Sequence, residues 1–180
     1  TNVKFCILGQ RPNSLTFVSI KDNHLFDTQI GIDMRAIGWT QVMIEGNEIS
    51  VIAPPSGQIT SGIRVVEPTR SVSLITGNLI IQNNPEINLL GTHGIFLLNV
   101  QRARVSGNII NMNHDPASNP VYGIRIENGN KNVLCGNEVK GTVSLDINNK
   151  RAISIEGSPR TSIECDNVTD YTETGLELSE

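Results

Sequence analysis

The chain has 180 residues, a net charge of -4, 38% hydrophobic residues and only 4% aromatic ones. That length accommodates one domain with a real core, and the mildly acidic balance disfavours nucleic acid or an anionic membrane as the main partner. No run approaches the roughly 18 apolar residues of a membrane span, and no basic-then-apolar leader opens the sequence.

In chain order, Val3-Lys4-Phe5 opens as a degenerate copy of a phrase made of a small residue, then apolar, any, apolar. The phrase returns at Gly31-Ile32-Asp33-Met34, Gly62-Ile63-Arg64-Val65, Gly94-Ile95-Phe96-Leu97, Gly123-Ile124-Arg125-Ile126, Ala152-Ile153-Ser154-Ile155 and Gly175-Leu176-Glu177-Leu178. A second phrase is interleaved with it, ending in Gly-Asn or Asp-Asn: VSIKDN from Val18, VMIEGN from Val42, SLITGN from Ser73, RVSGN from Arg104, VLCGN from Val133 and SIECDN from Ser162. Its Asn residues are Asn23, Asn47, Asn78, Asn108, Asn137 and Asn167, which recur about every 30 residues after a shorter first interval. Isolated hairpin turns need no common period. This spacing is that of a repeat array.

Each unit holds short apolar segments of period two, such as Ile32/Met34, Val42/Ile44 and Ile49/Val51, with no helical periodicity between them. Three short strands per unit are predicted. One unit alone cannot bury its apolar face, whereas stacked units form three parallel sheets around a continuous core. The low aromatic content and the abundance of Ile, Val, Leu, Asn and Gly suit such flat, stacked β-structure. The predicted fold is an all-β solenoid of about six coils, each of roughly 30 residues. Asn tolerates the left-handed region, so it is expected to turn the chain after the second strand. Its amide can then bond the equivalent amides above and below, making Asn47, Asn78, Asn108, Asn137 and Asn167 a ladder.

On these phrases the chain resembles the right-handed parallel β-helix family, which includes pectate lyases, polygalacturonases and phage tailspikes. The resemblance spans essentially the whole sequence and implies an all-β, right-handed, single-stranded parallel β-helix; function has to be argued from a site. Segments Val51 to Ser61, Ile81 to His93, Asn111 to Tyr122 and Lys140 to Arg151 read as loops on one edge of the rod. The sequence starts and stops on first-sheet strands without an amphipathic helix or polar cap. Residues 1–180 are therefore expected to be a single domain within a longer protein, or one covered by neighbouring coils, an oligomer partner or a capping partner. The three cysteines have no metal-ligand spacing. Cys135 and Cys165 each precede a repeat Asn by two residues, which predicts neighbouring thiols about 4.8 Å apart, stacked or bridged.

The family resemblance implies that substrate would lie along the outer face of the first sheet, at Lys4, Asp33, Arg64, Phe96, Arg125, Ser154 and Glu177. Thr92-His93-Gly94 and Arg125-Ile126-Glu127 resemble the Gly-His-Gly and Arg-Ile-Lys phrases of polygalacturonases, but the carboxylates of that family are missing. Glycoside hydrolysis needs two carboxyl groups flanking the bond, so His93 and Arg125 read as surface residues. Glu127 and Glu156 form the best acidic pair on adjacent coils, short of a calcium site. His114-Asp115 resembles the Asp-Pro-His segment of alginate epimerases only in composition. No catalytic set, metal site or cofactor is predicted. Phe96, Leu98 and Val66 put an apolar patch on this face that suits packing under a long loop more than stacking against a sugar ring; Arg64, Phe96 and Arg125, with His93 beside them, also form a cationic stripe with an aromatic centre that suits an acidic saccharide. The expected function is a secreted or cell-surface spacer or adhesin with polysaccharide as its ligand. The alternative is a polysaccharide lyase, epimerase or hydrolase with catalytic residues outside this sequence.

Overall fold

The computed structural model describes residues 3–11, 17–36, 41–52, 59–66, 72–84, 91–114, 121–141, 150–164, 167–169 and 176–179. Among them, strands are the only regular elements. In chain order, the first coil is β1 (Val3–Arg11), β2 (Val18–Lys21) and the start of β3 (His24–Ala36). The end of β3 opens the second coil, completed by β4 (Gln41–Glu45) and β5 (Glu48–Ile52). Next come β6 (Thr60–Val66), β7 (Val72–Thr76) and β8 (Leu79–Asn84), then β9 (Thr92–Leu98), β10 (Arg104–Ser106) and β11 (Ile109–His114). After these follow β12 (Val121–Glu127), β13 (Val133–Cys135) and β14 (Glu138–Gly141), then β15 (Lys150–Glu156), β16 (Ser162–Glu164), β17 (Asn167–Thr169) and β18 (Leu176–Ser179).

Corresponding strands pair in parallel from coil to coil, so the chain is the β-solenoid that its period predicts. The first sheet runs β1-β3-β6-β9-β12-β15-β18 and the second β2-β4-β7-β10-β13-β16. The third runs β3-β5-β8-β11-β14-β17, so β3 serves two sheets. A register shift between Leu25 and Thr28, with Asp27 at φ 55, marks its corner. About four turns form the body of the solenoid rather than the six expected. These are flanked by a coil on each side, whereas the end coils are stacked on one side only among the described strands.

Alternation places one apolar residue of every coil in the same column. Ile20, Ile44, Ile75, Val105, Leu134 and Ile163 follow one another in register through the second sheet. The four interior members are fully buried, because each has a neighbour above and below. The small residue of the Gly-Ile phrase has an equally direct cause. A Cβ at Gly94 would strike the Ile110 methyl and the carbonyl of Gly123, and Gly31, Gly62 and Gly123 meet the same pair of obstacles one coil on or back. The bend from third to first sheet closes tightly enough that a third-sheet methyl occupies the space of that side chain.

The asparagine ladder is present. The amide Nδ2 of Asn23 donates to Oδ1 of Asn47 (2.9 Å), Asn47 to Asn78 (2.9 Å), Asn78 to Asn108 (2.9 Å) and Asn108 to Asn137 (2.8 Å). Each of these oxygens also accepts the backbone N–H of the preceding Asn, and each Nδ2 of Asn47, Asn78 and Asn108 further donates to a second-sheet carbonyl of the coil before. The turn itself is made by the residue before: Gly46, Gly77, Gly107 and Gly136 have φ between 63 and 66, and Asp22 stands in at φ 54. The division of labour thus differs from the expectation. Glycine takes the left-handed conformation, and Asn supplies the amide.

One expectation at the last coil is corrected by register. Glu138 pairs with Asn167 and Cys135 with Glu164, so the step between these strands is one residue shorter than the spacing of Asn137 and Asn167. Asn167 therefore stands one place beyond the Asn137 column; its side chain, and Cys165 with the neighbouring thiol expected of it, lie outside the described residues. Cys135 is a free thiol. Most of the four loop segments, with Asp115 and the side chain of His114, also lie outside the described residues.

Candidate functional site: the outer face of the first sheet

The outer face consists of columns set by strand register. Asp33, Arg64, Phe96, Arg125, Ser154 and Glu177 follow one another, flanked on one side by Arg35, Val66, Leu98, Glu127 and Glu156. On the other side Ser61, His93 and Tyr122 are consecutive partners. The structure brings Arg64, Phe96, Arg125 and His93 together as expected. The face is less wet than alternation alone suggests: Asp33 and Ser154 are fully buried, and Phe96, Val66 and Leu98 are half-buried.

Charge on this face is spent internally. Arg64 grips Asp33 with two bonds, Nε to Oδ1 at 2.8 Å and Nη2 to Oδ2 at 2.5 Å, and Arg35 adds a third at 2.7 Å. Burial raises the Asp33 pKa above the usual carboxylate range, while the hydrogen bond and charge of Arg35 pull it back. Arg125 holds Glu127 on its own strand and Glu156 on the next coil at 3.3 Å. Both arginines of the expected cationic stripe are thereby compensated. So is the acidic pair Glu127 and Glu156, whose common partner is a guanidinium. Among the described residues, no three His, Cys, Asp or Glu side chains converge as metal ligands.

His93 is 2% exposed, so it is a buried residue and not the surface residue expected. Its ring lies between Phe96 (centroids 4.8 Å, interplanar 20°) and Tyr122 (5.5 Å, 7°). Arg125 extends over the Tyr122 ring at 4.5 Å and reaches Phe96 at 6.0 Å, a cation–π arrangement that fits a delocalised guanidinium. Neither ring nitrogen of His93 has a partner with hydrogen-bonding geometry. Burial, aided by the positive charge of Arg125 and opposed by the Thr60 backbone, lowers the His93 pKa to about 3. The imidazole is neutral at physiological pH and acts as a stacked ring. Tyr122 is the member that sequence reasoning missed. It precedes Gly123 by one residue just as His93 precedes Gly94, and that shared offset was the available signal.

Behind the strand the polarity continues inward: Thr60 Oγ1 meets Thr92 Oγ1 at 3.2 Å, and Gln82 donates to the His93 carbonyl. These bonds satisfy buried groups beneath the bend that carries His93. His24 is an outward residue as expected, bonded to Glu48 at 2.9 Å. No helix among the described residues is long and apolar enough to cross a membrane. Comparison with family models, with curated proteins and with solved structures returned no match to this chain.

Proposed function

We propose that the chain is a secreted or cell-surface structural module, a rigid spacer or adhesin, that holds polysaccharide against the outer face of its first sheet. The observation that carries this reading is the half-buried row of Phe96 and Arg125 backed by the buried rings of His93 and Tyr122. A sugar ring presents C–H groups to an aromatic face, and such a contact gains most where the aromatic is already immobilised. His93 and Tyr122 supply that immobilisation, while Phe96, Arg125 and the flanking Leu98 present the accessible edge. Among the described side chains, three arginines balanced by three carboxylates leave the centre of the face close to neutral, so ring contact rather than net charge supplies the attraction. The stacked coils and the asparagine ladder give the rigidity a spacer needs.

A glycan-array screen at low salt, followed by calorimetry on any hit, tests the reading. Binding should be weak, should be lost in Phe96→Ala, and should persist in Glu138→Gln on the third sheet. Failure of every acidic and neutral polysaccharide to bind, or binding indifferent to Phe96→Ala, would remove the recognition role and leave a plain structural rod.

A further inference from the structure

Where the chain leaves the outer face of the first sheet and turns toward the second, three stacked coils carry the segments 99–104 (NVQRAR), 128–133 (NGNKNV) and 157–162 (GSPRTS). They hold Arg102, Arg104, Lys131 and Arg160, four of the 14 lysines and arginines of an acidic chain, and no aspartate or glutamate. Three of these cations form a row. The Arg102 N–H donates to the Asn130 carbonyl (2.9 Å) and the Lys131 N–H to the Pro159 carbonyl (3.3 Å), so Arg102 stacks on Lys131 and Lys131 on Arg160. All three share φ between 57 and 60, and a common backbone conformation on coils about 4.8 Å apart sets their side chains off in one line. The four cations are exposed, and among the described residues none of them forms an ion pair.

Folding gains nothing from this row. The left-handed region is taken at low cost by Gly and Asn, as at Asn99, Asn128 and Gly157 in the same segments, and not by Arg or Lys. Like charges facing each other on neighbouring strands also repel. The row therefore opposes stability twice, with no carboxylate in the segments to offset it. On the outer face the reverse holds: Arg35, Arg64 and Arg125 are all paired, and Arg125 holds Glu127 and Glu156, the carboxylates that precede two of these segments. From Phe96 to Arg102 the chain passes Leu98, Asn99 and Gln101 without meeting an acid.

We propose that the Arg102–Lys131–Arg160 row is an anion-binding extension of the polysaccharide face: a chain stacked on Phe96 runs over Leu98 and Asn99, and its carboxylate or sulfate groups are bound at this corner. The proposal rests on the polysaccharide reading and adds what ring contact on a neutral face cannot supply, a preference for acidic chains over neutral ones. Arg102 and Arg160 offer forked donors to such groups, and Lys131 a point charge between them. Arg102 lies six residues from Phe96, roughly 20 Å of extended backbone, so an oligosaccharide is needed to reach both and a single acidic sugar does not suffice. The three segments contain no aromatic residue on which a base could stack, which favours a saccharide over single-stranded nucleic acid.

The test is calorimetry on the full chain with polygalacturonate, dextran and oligothymidylate as probes, at low and at physiological salt. The wild type should bind polygalacturonate about tenfold or more tighter than dextran, and the margin should shrink as salt rises, because the row is exposed and screened. Combining Arg102→Asn, Lys131→Asn and Arg160→Asn should bring polygalacturonate down to the dextran level, leave dextran as it was, and not lower the thermal melt, since Asn accommodates the left-handed backbone. Lys131→Asn alone should cost about threefold. Phe96→Ala should abolish binding of both polysaccharides. If neither polysaccharide binds, the polysaccharide reading falls and the extension with it. If both bind equally, or the acidic preference survives the triple change, the extension falls and the reading stands. Polygalacturonate bound through the row but indifferent to Phe96→Ala overturns the extension, because the corner then acts without the face, and tighter binding of oligothymidylate through the same three residues overturns the saccharide assignment.

Discussion

Replacing Asn108 by valine tests the ladder where it is most completely satisfied. The side chain accepts from the backbone N–H of Asn78 (3.0 Å) and from its Nδ2 (2.9 Å), and donates to Asn137 Oδ1 (2.8 Å), to the Ile75 carbonyl (3.0 Å) and to the Ser106 carbonyl (3.3 Å). Valine fills similar space but offers none of these. The Asn78 amide keeps its carbonyl partners and the Asn137 oxygen keeps the Asn108 backbone N–H, so neither is orphaned. The Ile75 carbonyl keeps the ladder bond from the Ser106 N–H, because Ser106 pairs with Thr76 and accepts from Gly77 in the parallel pattern, so the Asn78 backbone N–H is the buried group that loses its partner. An orphaned buried group costs about 1–3 kcal/mol, so the substitution should destabilise the chain by about that amount. At a urea slope of about 2 kcal/mol/M the unfolding midpoint should fall by about 0.5–1.5 M. Glu138→Gln is the control. It removes a half-exposed ion pair with Lys140, worth at most about 1 kcal/mol. Urea titrations followed by circular dichroism would refute the reasoning if the two variants shifted the midpoint equally.

Two further predictions use other parts of the coil. Gly107→Ala meets no atom within 4 Å but sits at φ 63, so its cost should be the backbone penalty of about 1 kcal/mol; Gly94→Ala, blocked by Ile110 and the Gly123 carbonyl, should cost clearly more, and equal melting temperatures would contradict that assignment. His93 is neutral in the folded state down to about pH 3, whereas in the unfolded chain it binds a proton below about pH 6.5. Unfolding therefore takes up a proton across that window, and stability should fall by about 1.4 kcal/mol per pH unit as pH drops through it. Denaturant melts from pH 7 to pH 4 should show this slope in wild type and lose it in His93→Phe; an unchanged slope in the variant would assign it elsewhere.

The repeat period made the fold legible, because a spacing of about 30 residues with three apolar segments per unit has few physical solutions. What escaped depends on register to the single residue. Aligning units by their asparagines puts Asn167 under Asn137, but strand pairing offsets that coil by one. The outer face was legible as a set of positions and illegible in its chemistry. Arg64 is visible in the sequence as a coil neighbour of Asp33, yet only geometry shows a bidentate grip that cancels its charge. A further corner also went unread. Asn99, Asn128 and Gly157, with Arg102, Lys131 and Arg160 three places on, all adopt φ between 51 and 60 as the chain passes from first to second sheet. Their constant offset from one coil to the next was present, but Asn, Gly, Arg and Lys share no side-chain chemistry that would announce a common backbone conformation.

The shortest unit has its own consequence. Only 24 residues separate Asn23 from Asn47, against 31 for the next pair, yet Asn23 and Asn47 bond as well as any other rung. The missing residues are absorbed where β3 passes without interruption from the third sheet into the first. Length is thus free at this corner, varies less between the first and second sheets, where Arg64 and Ile75 stand eleven positions apart and Phe96 and Val105 nine, and is constant at the Gly-Asn turn between the second and third sheets, where an insertion would break the rung itself. That corner is where this architecture can accept new sequence: a peptide epitope or a foreign loop grafted between Ile52 and Thr60 should leave the rod intact, whereas the same graft between Glu45 and Glu48 should unravel it.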